Sequence, residues 1–142
     1  MSGNLTFTII KPDAFKSGHS GSIIKMIEKA GFKLLEIKLV SLTKEKASEF
    51  YEVHKEKPFY DRLCDYMSSG PIIVMKLSKN NAIENFRKLI GSTNPQDAAE
   101  GTIRNLFATS IEANAIHGSD SDENAKKEIA FFFTNSELIA NN

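Results

Sequence analysis

The chain has 142 residues, 41% hydrophobic and 25% charged, which is the length and composition of one ordinary globular domain and excludes disordered, collagen-like and membrane-resident classes. Lys plus Arg equals Asp plus Glu at 18 each, so no net positive field holds a polyanion and any phosphate binding must be local. A lone cysteine, Cys64, and an N-terminus without a basic region and apolar run point to a reducing, cytoplasmic setting, and no apolar stretch approaches the ~20 residues of a spanning helix.

Leu5, Phe7 and Ile9 alternate with Thr6 and Thr8 and stop at Lys11-Pro12-Asp13, a first strand ended by proline. The sequon Asn4-Leu5-Thr6 within it is read as chance in the absence of a secretion signal. From Ser20 to Ala30 the spacing of Ile23, Ile24 and Ile27 predicts a helix closed by Gly31, and Phe32 to Leu42 alternates through Leu35, Ile37 and Leu39 as a strand. Thr43 opens a helix to about Val53, and a short one follows from Tyr60 to Met67. Ile72 to Leu77 is a buried strand, and Asn81 to Ile90 carries Ile83, Phe86, Leu89 and Ile90 on one helical face. The run from Gly91 to Gly101 is a loop by composition and a place to expect function. Asn114 to His117 is a short strand, and Asp120 or Ser121 caps a last helix with an acidic start. The elements spell βαββαβ. This predicts an α+β, ferredoxin-like antiparallel four-stranded sheet with helices on one face, plus additional helices inserted after the second strand and around the late loop, in a single domain over residues 1–142.

No phosphate loop of the G-x-x-x-x-G-K-[ST] type is present, and Gly18 and Gly21 make no dinucleotide fingerprint. With 15 Lys against 3 Arg, each arginine is a less automatic choice for surface solvation than lysine. Arg87 and Arg104 flank the polar loop, and with the Thr93 hydroxyl between them they form a candidate phosphate-binding set, the alternative being two ordinary surface arginines. His117 ends a strand ahead of Gly118-Ser119-Asp120. Its imidazole, with a reference pKa of about 6.5, suits a nucleophile at neutral pH. Glu128, about two helical turns beyond Ser121, can lean back toward it. A structural or surface histidine beside a solvated glutamate is the competing reading. His54 and His19 have surroundings unlike a nucleophile's, and no pair of histidines at i, i+4 suggests zinc. Phe59-Tyr60 offers either an aromatic face for a base or an anchor for a short helix, and Phe131-Phe132-Phe133 reads as packing for the last helix.

Asn114-Ala115-Ile116-His117-Gly118-Ser119-Asp120 resembles the N-x-x-H-G-S-D signature of nucleoside diphosphate kinases. Similar agreement runs nearly end to end, through Ile10-Lys11-Pro12-Asp13, His54-Lys55 to Pro58-Phe59-Tyr60, Tyr66 to Pro71, Gly91-Ser92-Thr93-Asn94-Pro95 and Gly101-Thr102-Ile103-Arg104. The resemblance implies ping-pong phosphoryl transfer from a nucleoside triphosphate to a diphosphate through Nδ1 of His117, with broad base and sugar acceptance. It further implies that Arg87, Thr93 and Arg104 hold phosphates, that Lys11 and Asn114 meet the ribose hydroxyls and nearby phosphate, and that Phe59 stacks on the base with Leu63 and Ile111 closing an apolar clamp. Tyr51 and Glu128 would position and polarise His117, Ser119 would link to Glu128, and Mg²⁺ would arrive on the nucleotide phosphates without direct protein ligands.

Glu100, Asn105-Leu106 and a tail ending soon after Leu138 depart from the family's usual pattern. They fall in regions the family uses for subunit contacts, so the implied homo-oligomer is a hexamer first and a tetramer second. An RNA-binding domain of the same fold class is a poor fit, because the chain is neutral and lacks an RNP-type aromatic motif. A catalytically silent family member is the nearer rival; the full set of site residues speaks for activity.

Overall fold

The computed structural model describes residues 3–133; the tail around Leu138 lies outside the described residues. Leu5–Ile10 forms β1, buried on both faces at the centre of the sheet. Pro12 then stands in the first turn of α1 (Pro12–Lys16), a short helix that sequence periodicity does not reveal because it spans barely more than one turn. Ser20–Lys29 forms α2, burying Ile23 and Ile27. Its end is closed by Gly31 at φ +95, where the Phe32 amide reaches back to the Ile27 carbonyl at 3.3 Å. Replacing Gly31 with Ala is expected to cost about 1 kcal/mol by forcing a Cβ into the left-handed region, read as a lower denaturation midpoint.

Lys33–Val40 forms β2, at one edge of the sheet. Its expected apolar face turns outward: Leu35, Ile37 and Leu39 are 42%, 52% and 65% exposed, while Glu36 is buried. A register shift between Leu34 and Glu36 inserts an extra residue, and alternation alone cannot say which side of an edge strand is covered. Thr43 caps α3 (Lys44–Phe50) by accepting from the Lys46 amide. The helix expected to reach Val53 breaks at the buried Tyr51 into a 3-10 turn over Glu52–His54. Then come α4 (Tyr60–Met67), β3 (Ile72–Ser78) and α5 (Ala82–Ile90). Thr102 caps α6 (Ile103–Phe107), which follows the polar loop; β4 is only Ile116–Gly118, and Ser121 caps α7 (Asp122–Phe132).

The strand order is β2-β3-β1-β4 with every neighbouring pair antiparallel, the expected ferredoxin-like arrangement. The crossover helices α2 and α5 share one face, where Ile23, Ile27, Phe86 and Ile90 pack on Ile10, Met75 and Leu77. The inserted helices α3 and α4, with α7, cover the other through Ala47, Cys64, Met67 and Phe132 against Phe7, Ile9 and Val74. Burial on both sides is why β3 reads as a nearly continuous apolar run, and why Thr6 and Thr8 of β1 are buried along with its apolar residues. Gly118 lies where a Cβ would come within 3.0 Å of Phe86 and Ile90, so α5 presses directly on β4. Among the described residues no helix is long and apolar enough to cross a membrane.

Candidate active site

A cavity of about 840 Å³ opens over the end of the sheet between α4, α5, the 109–114 turn and α7. Its size suits a nucleotide-sized ligand. The sequence-selected residues Lys11, Tyr51, Phe59, Leu63, Arg87, Thr93, Arg104, Ile111, Asn114, His117 and Glu128 all line it; Ser119 sits fully buried behind His117.

His117 projects from β4, paired with Ile9 of β1. Its Nε2 lies 3.0 Å from Glu128 Oε1, which also accepts the Ser119 hydroxyl at 2.6 Å. An ionised carboxylate only accepts, so Nε2 carries the proton and Nδ1 keeps its lone pair. Among the described residues Nδ1 has no hydrogen-bond partner. The imidazole is walled by rings: Phe50, Phe7 and Tyr51 have centroids 5.8, 6.2 and 6.5 Å away, all near edge-on. Tyr51 thus meets His117 through its ring. Among the described residues its buried hydroxyl has no hydrogen-bond partner, and burial, followed by the Glu128 charge, pushes its pKa up. Phe7 and Phe50 read in the sequence as ordinary core positions, with nothing to mark them as walls of the site.

Positive charge gathers deeper in the cavity. Arg104 is buried, with Nη1 donating to the Gly91 carbonyl at 2.9 Å and Nη2 to that of Ile116 at 2.8 Å. Burial, then the nearby Arg87 charge, lowers its pKa to about 10. Lys11, also buried, donates from Nζ to Asn114 Oδ1 at 2.8 Å, and Asn114 Nδ2 donates to the Thr93 carbonyl at 3.2 Å. Burial, followed by repulsion from Arg104, depresses the Lys11 pKa to about 8. The burial and mutual repulsion of these two cations suit this part of the cavity to an anion.

The floor depends on Asp13 and Ala115, a pair that no local sequence signal marks. Ala115 adopts φ +71, costly for a residue with a Cβ, and so turns the chain between Asn114 and His117. Asp13 holds that turn: Oδ2 accepts from the Ala115 amide at 3.1 Å, Oδ1 accepts from the Tyr66 hydroxyl, and the Lys11 amide donates to the Ala115 carbonyl at 2.9 Å. Asp13→Ala is therefore expected to destabilise the protein by about 2–3 kcal/mol, measured by denaturant titration, because it strands both donors.

The remaining histidines stand apart from the nucleophile. His19 packs against Phe107 with centroids 4.8 Å apart, and at the cavity wall His54 stacks on Tyr51 and meets Phe59 at a tilt.

Comparison with known proteins agrees with this layout. The family described as nucleoside diphosphate kinase matches residues 4–138. A nucleoside diphosphate kinase of Flavobacterium psychrophilum is 58% identical over 96% of this chain and 99% of its own length. One from Persephonella marina is 50% identical over 98% and 99%. Among solved structures, the Aquifex aeolicus nucleoside diphosphate kinase superposes with a TM-score of 0.93 at 41% identity, covering 96% of this chain and 99% of that one. The Halobacterium salinarum enzyme, solved in complex with CDP, gives 0.90 at 37% identity, covering 95% and 90%. Identity at this level across the whole of both partners, on the same antiparallel sheet, means that the chain belongs to the nucleoside diphosphate kinase family of phosphotransferases.

Proposed function

We propose that the protein moves the terminal phosphate of a nucleoside triphosphate, usually ATP, onto a nucleoside diphosphate by a ping-pong route through phosphohistidine at His117, and so maintains NTP and dNTP pools. The observation that carries this reading is the ring whose Nε2 is held at 3.0 Å by Glu128 while Nδ1 stays unengaged in the cavity that Lys11, Arg87 and Arg104 also line. In the first half, the Nδ1 lone pair forms a bond to the γ-phosphorus, the bond to the bridging oxygen breaks, and the diphosphate leaves with that electron pair. The ring becomes cationic, and Glu128 stabilises it. In the second half a terminal oxygen of the acceptor diphosphate attacks the same phosphorus and the P–N bond breaks.

Phosphoryl transfer needs positioning and dispersed positive charge more than covalent help. Arg104, immobilised by two carbonyls, acts as a fixed charge; Arg87 and the Thr93 hydroxyl complete the phosphate cradle, and Lys11 and Asn114 meet the ribose hydroxyls and nearby phosphate. This donor set is cationic and suits phosphate oxygens, so Mg²⁺ would be held by the nucleotide phosphates rather than by these side chains, and would supply further charge neutralisation there. Phe59 stacks on the base, with Leu63 and Ile111 closing the clamp. The CDP bound by the Halobacterium relative supports a nucleotide in this cavity. Stacking accepts every base, so specificity is broad and 2′-deoxy sugars are tolerated.

One domain over residues 1–142 carries this chemistry, in the cytoplasm, as a homohexamer with a tetramer as the alternative. The exposed row Leu35, Ile37 and Leu39 supports self-association, and sedimentation analysis decides the order. The decisive experiment incubates the protein with γ-labelled ATP and Mg²⁺, then chases with GDP. An acid-labile, base-stable label that moves to GTP is expected; absence of both label and GTP formation overturns the reading.

The Lys11 pKa of about 8 adds a pH prediction. Above that value the free protein holds Lys11 neutral, while bound phosphate restores its charge. Nucleotide binding near pH 8 to 9 should therefore take up a proton, and affinity should weaken as pH rises through this window. Calorimetry in buffers of different ionisation heat reads the uptake directly.

A further inference from the structure

On the reading that the cavity binds nucleotides, we propose that Arg62 and Glu112 recognise the edge of the base and give guanine a several-fold advantage within an otherwise permissive clamp. Arg62 lies on α4, between Phe59 and Leu63 of one apolar wall; Glu112 follows Ile111 of the other. Both line the cavity, and Arg62 Nε meets Glu112 Oε1 at 2.7 Å across 50 residues of chain. The pair therefore stands at the side of the slot formed by Phe59, Leu63 and Ile111, of which Phe59 and Ile111 are 37% and 57% exposed.

Stability gives little reason for this pair. The two side chains are 67% and 52% exposed, and ion pairs in that setting contribute little to folding. Their chemistry fits a ligand edge better. Among the described residues the Arg62 Nη groups and Glu112 Oε2 have no hydrogen-bond partner, so the pair presents unused donors beside an unused acceptor. A base stacked between Phe59 and Ile111 keeps its edge free for such groups. Guanine offers N1–H and N2–H side by side to a carboxylate and O6 to a guanidinium. Adenine offers one N–H donor group beside an acceptor, and hypoxanthine lacks the N2 amino group altogether. The carboxylate is thus matched by two donors only in guanine, and the resulting charge-assisted contacts are the stronger kind.

The test is calorimetric binding of GDP, IDP and ADP to the full chain and to Glu112→Ala and Arg62→Ala, both at exposed positions that leave the core untouched. Wild type is expected to bind GDP about 3–10-fold tighter than IDP. Glu112→Ala should bring that ratio to near one while leaving ADP affinity close to wild type, and Arg62→Ala should lower the GDP-to-ADP ratio, because O6 is shared by guanine and hypoxanthine and absent from adenine. Equal binding of GDP and IDP by wild type overturns the proposal. So does uniform weakening of all three nucleotides in Glu112→Ala, which would make the pair a strap between the two walls. An unchanged GDP-to-ADP ratio in Arg62→Ala removes Arg62 from it. A wild type that binds nucleotides with this preference yet exchanges no phosphate would overturn the proposed function and leave this inference standing; one that binds none overturns both.

Discussion

His117→Ala is expected to abolish acid-labile labelling from γ-labelled ATP and to lower nucleotide exchange by at least ~10⁴-fold, with the melting temperature close to that of the wild type. On the proposed route the imidazole makes the bond that defines the first half-reaction, and its nearest neighbours are poor substitutes. Glu128 is a carboxylate on the far side of the ring, and Tyr51 is a phenol that burial keeps protonated. The fold should tolerate the change because the removed ring leaves Glu128 still bonded to Ser119 at 2.6 Å. Rapid-quench labelling checks the chemistry, and thermal unfolding checks the fold. Exchange at an undiminished rate in this variant would mean that phosphate passes directly between nucleotides or through another residue.

The second large effect belongs to Glu128→Gln, a change of one atom that preserves shape. A carboxylate forces the proton onto Nε2; an amide can donate to Nε2 instead, moving the proton to Nδ1 and removing the lone pair needed for attack. The same logic in a serine protease triad, where an aspartate is changed to asparagine, lowers the rate about 10⁴-fold with geometry intact. A loss of about 10²–10⁴-fold in both half-reactions is expected here. Nitrogen NMR of the labelled imidazole should show the proton on Nε2 in the wild type and on Nδ1 in the variant. A slow variant with an unchanged tautomer would assign Glu128 to charge stabilisation alone.

The sequence is most informative where local chemistry decides structure. β1 ends at Lys11-Pro12, α2 ends at Gly31, and Thr43 and Ser121 cap their helices because short side chains compete for free amides at those points. The placement of Glu128 beside His117 is also legible, since helical spacing carries a side chain back by whole turns. What escapes are features fixed by tertiary contact. Nothing local distinguishes Phe7 and Phe50 from other core rings, yet they frame the imidazole. Arg104 has the sequence context of a surface arginine and becomes buried only because the Gly91 and Ile116 carbonyls converge on it. Leu35, Ile37 and Leu39 alternate as a core face would, and the position of β2 at the sheet edge leaves them outside. Ala115 gives no sign of its left-handed turn, since Asp13 stabilises it from 102 residues away.

The bare Cα of Gly118 works as a gauge block. Phe86 and Ile90 of α5 sit so close to it that an added Cβ would come within 3.0 Å of both, so the helix and β4 meet in direct contact there. Arg87 rides on that helix one residue past Phe86, and His117 rides on that strand one residue before Gly118. The separation between Arg87 and the His117 ring is therefore machined by a contact in which neither takes part. A methyl group at position 118 would act as a shim, and its effect should be felt in transfer rate more than in nucleotide affinity.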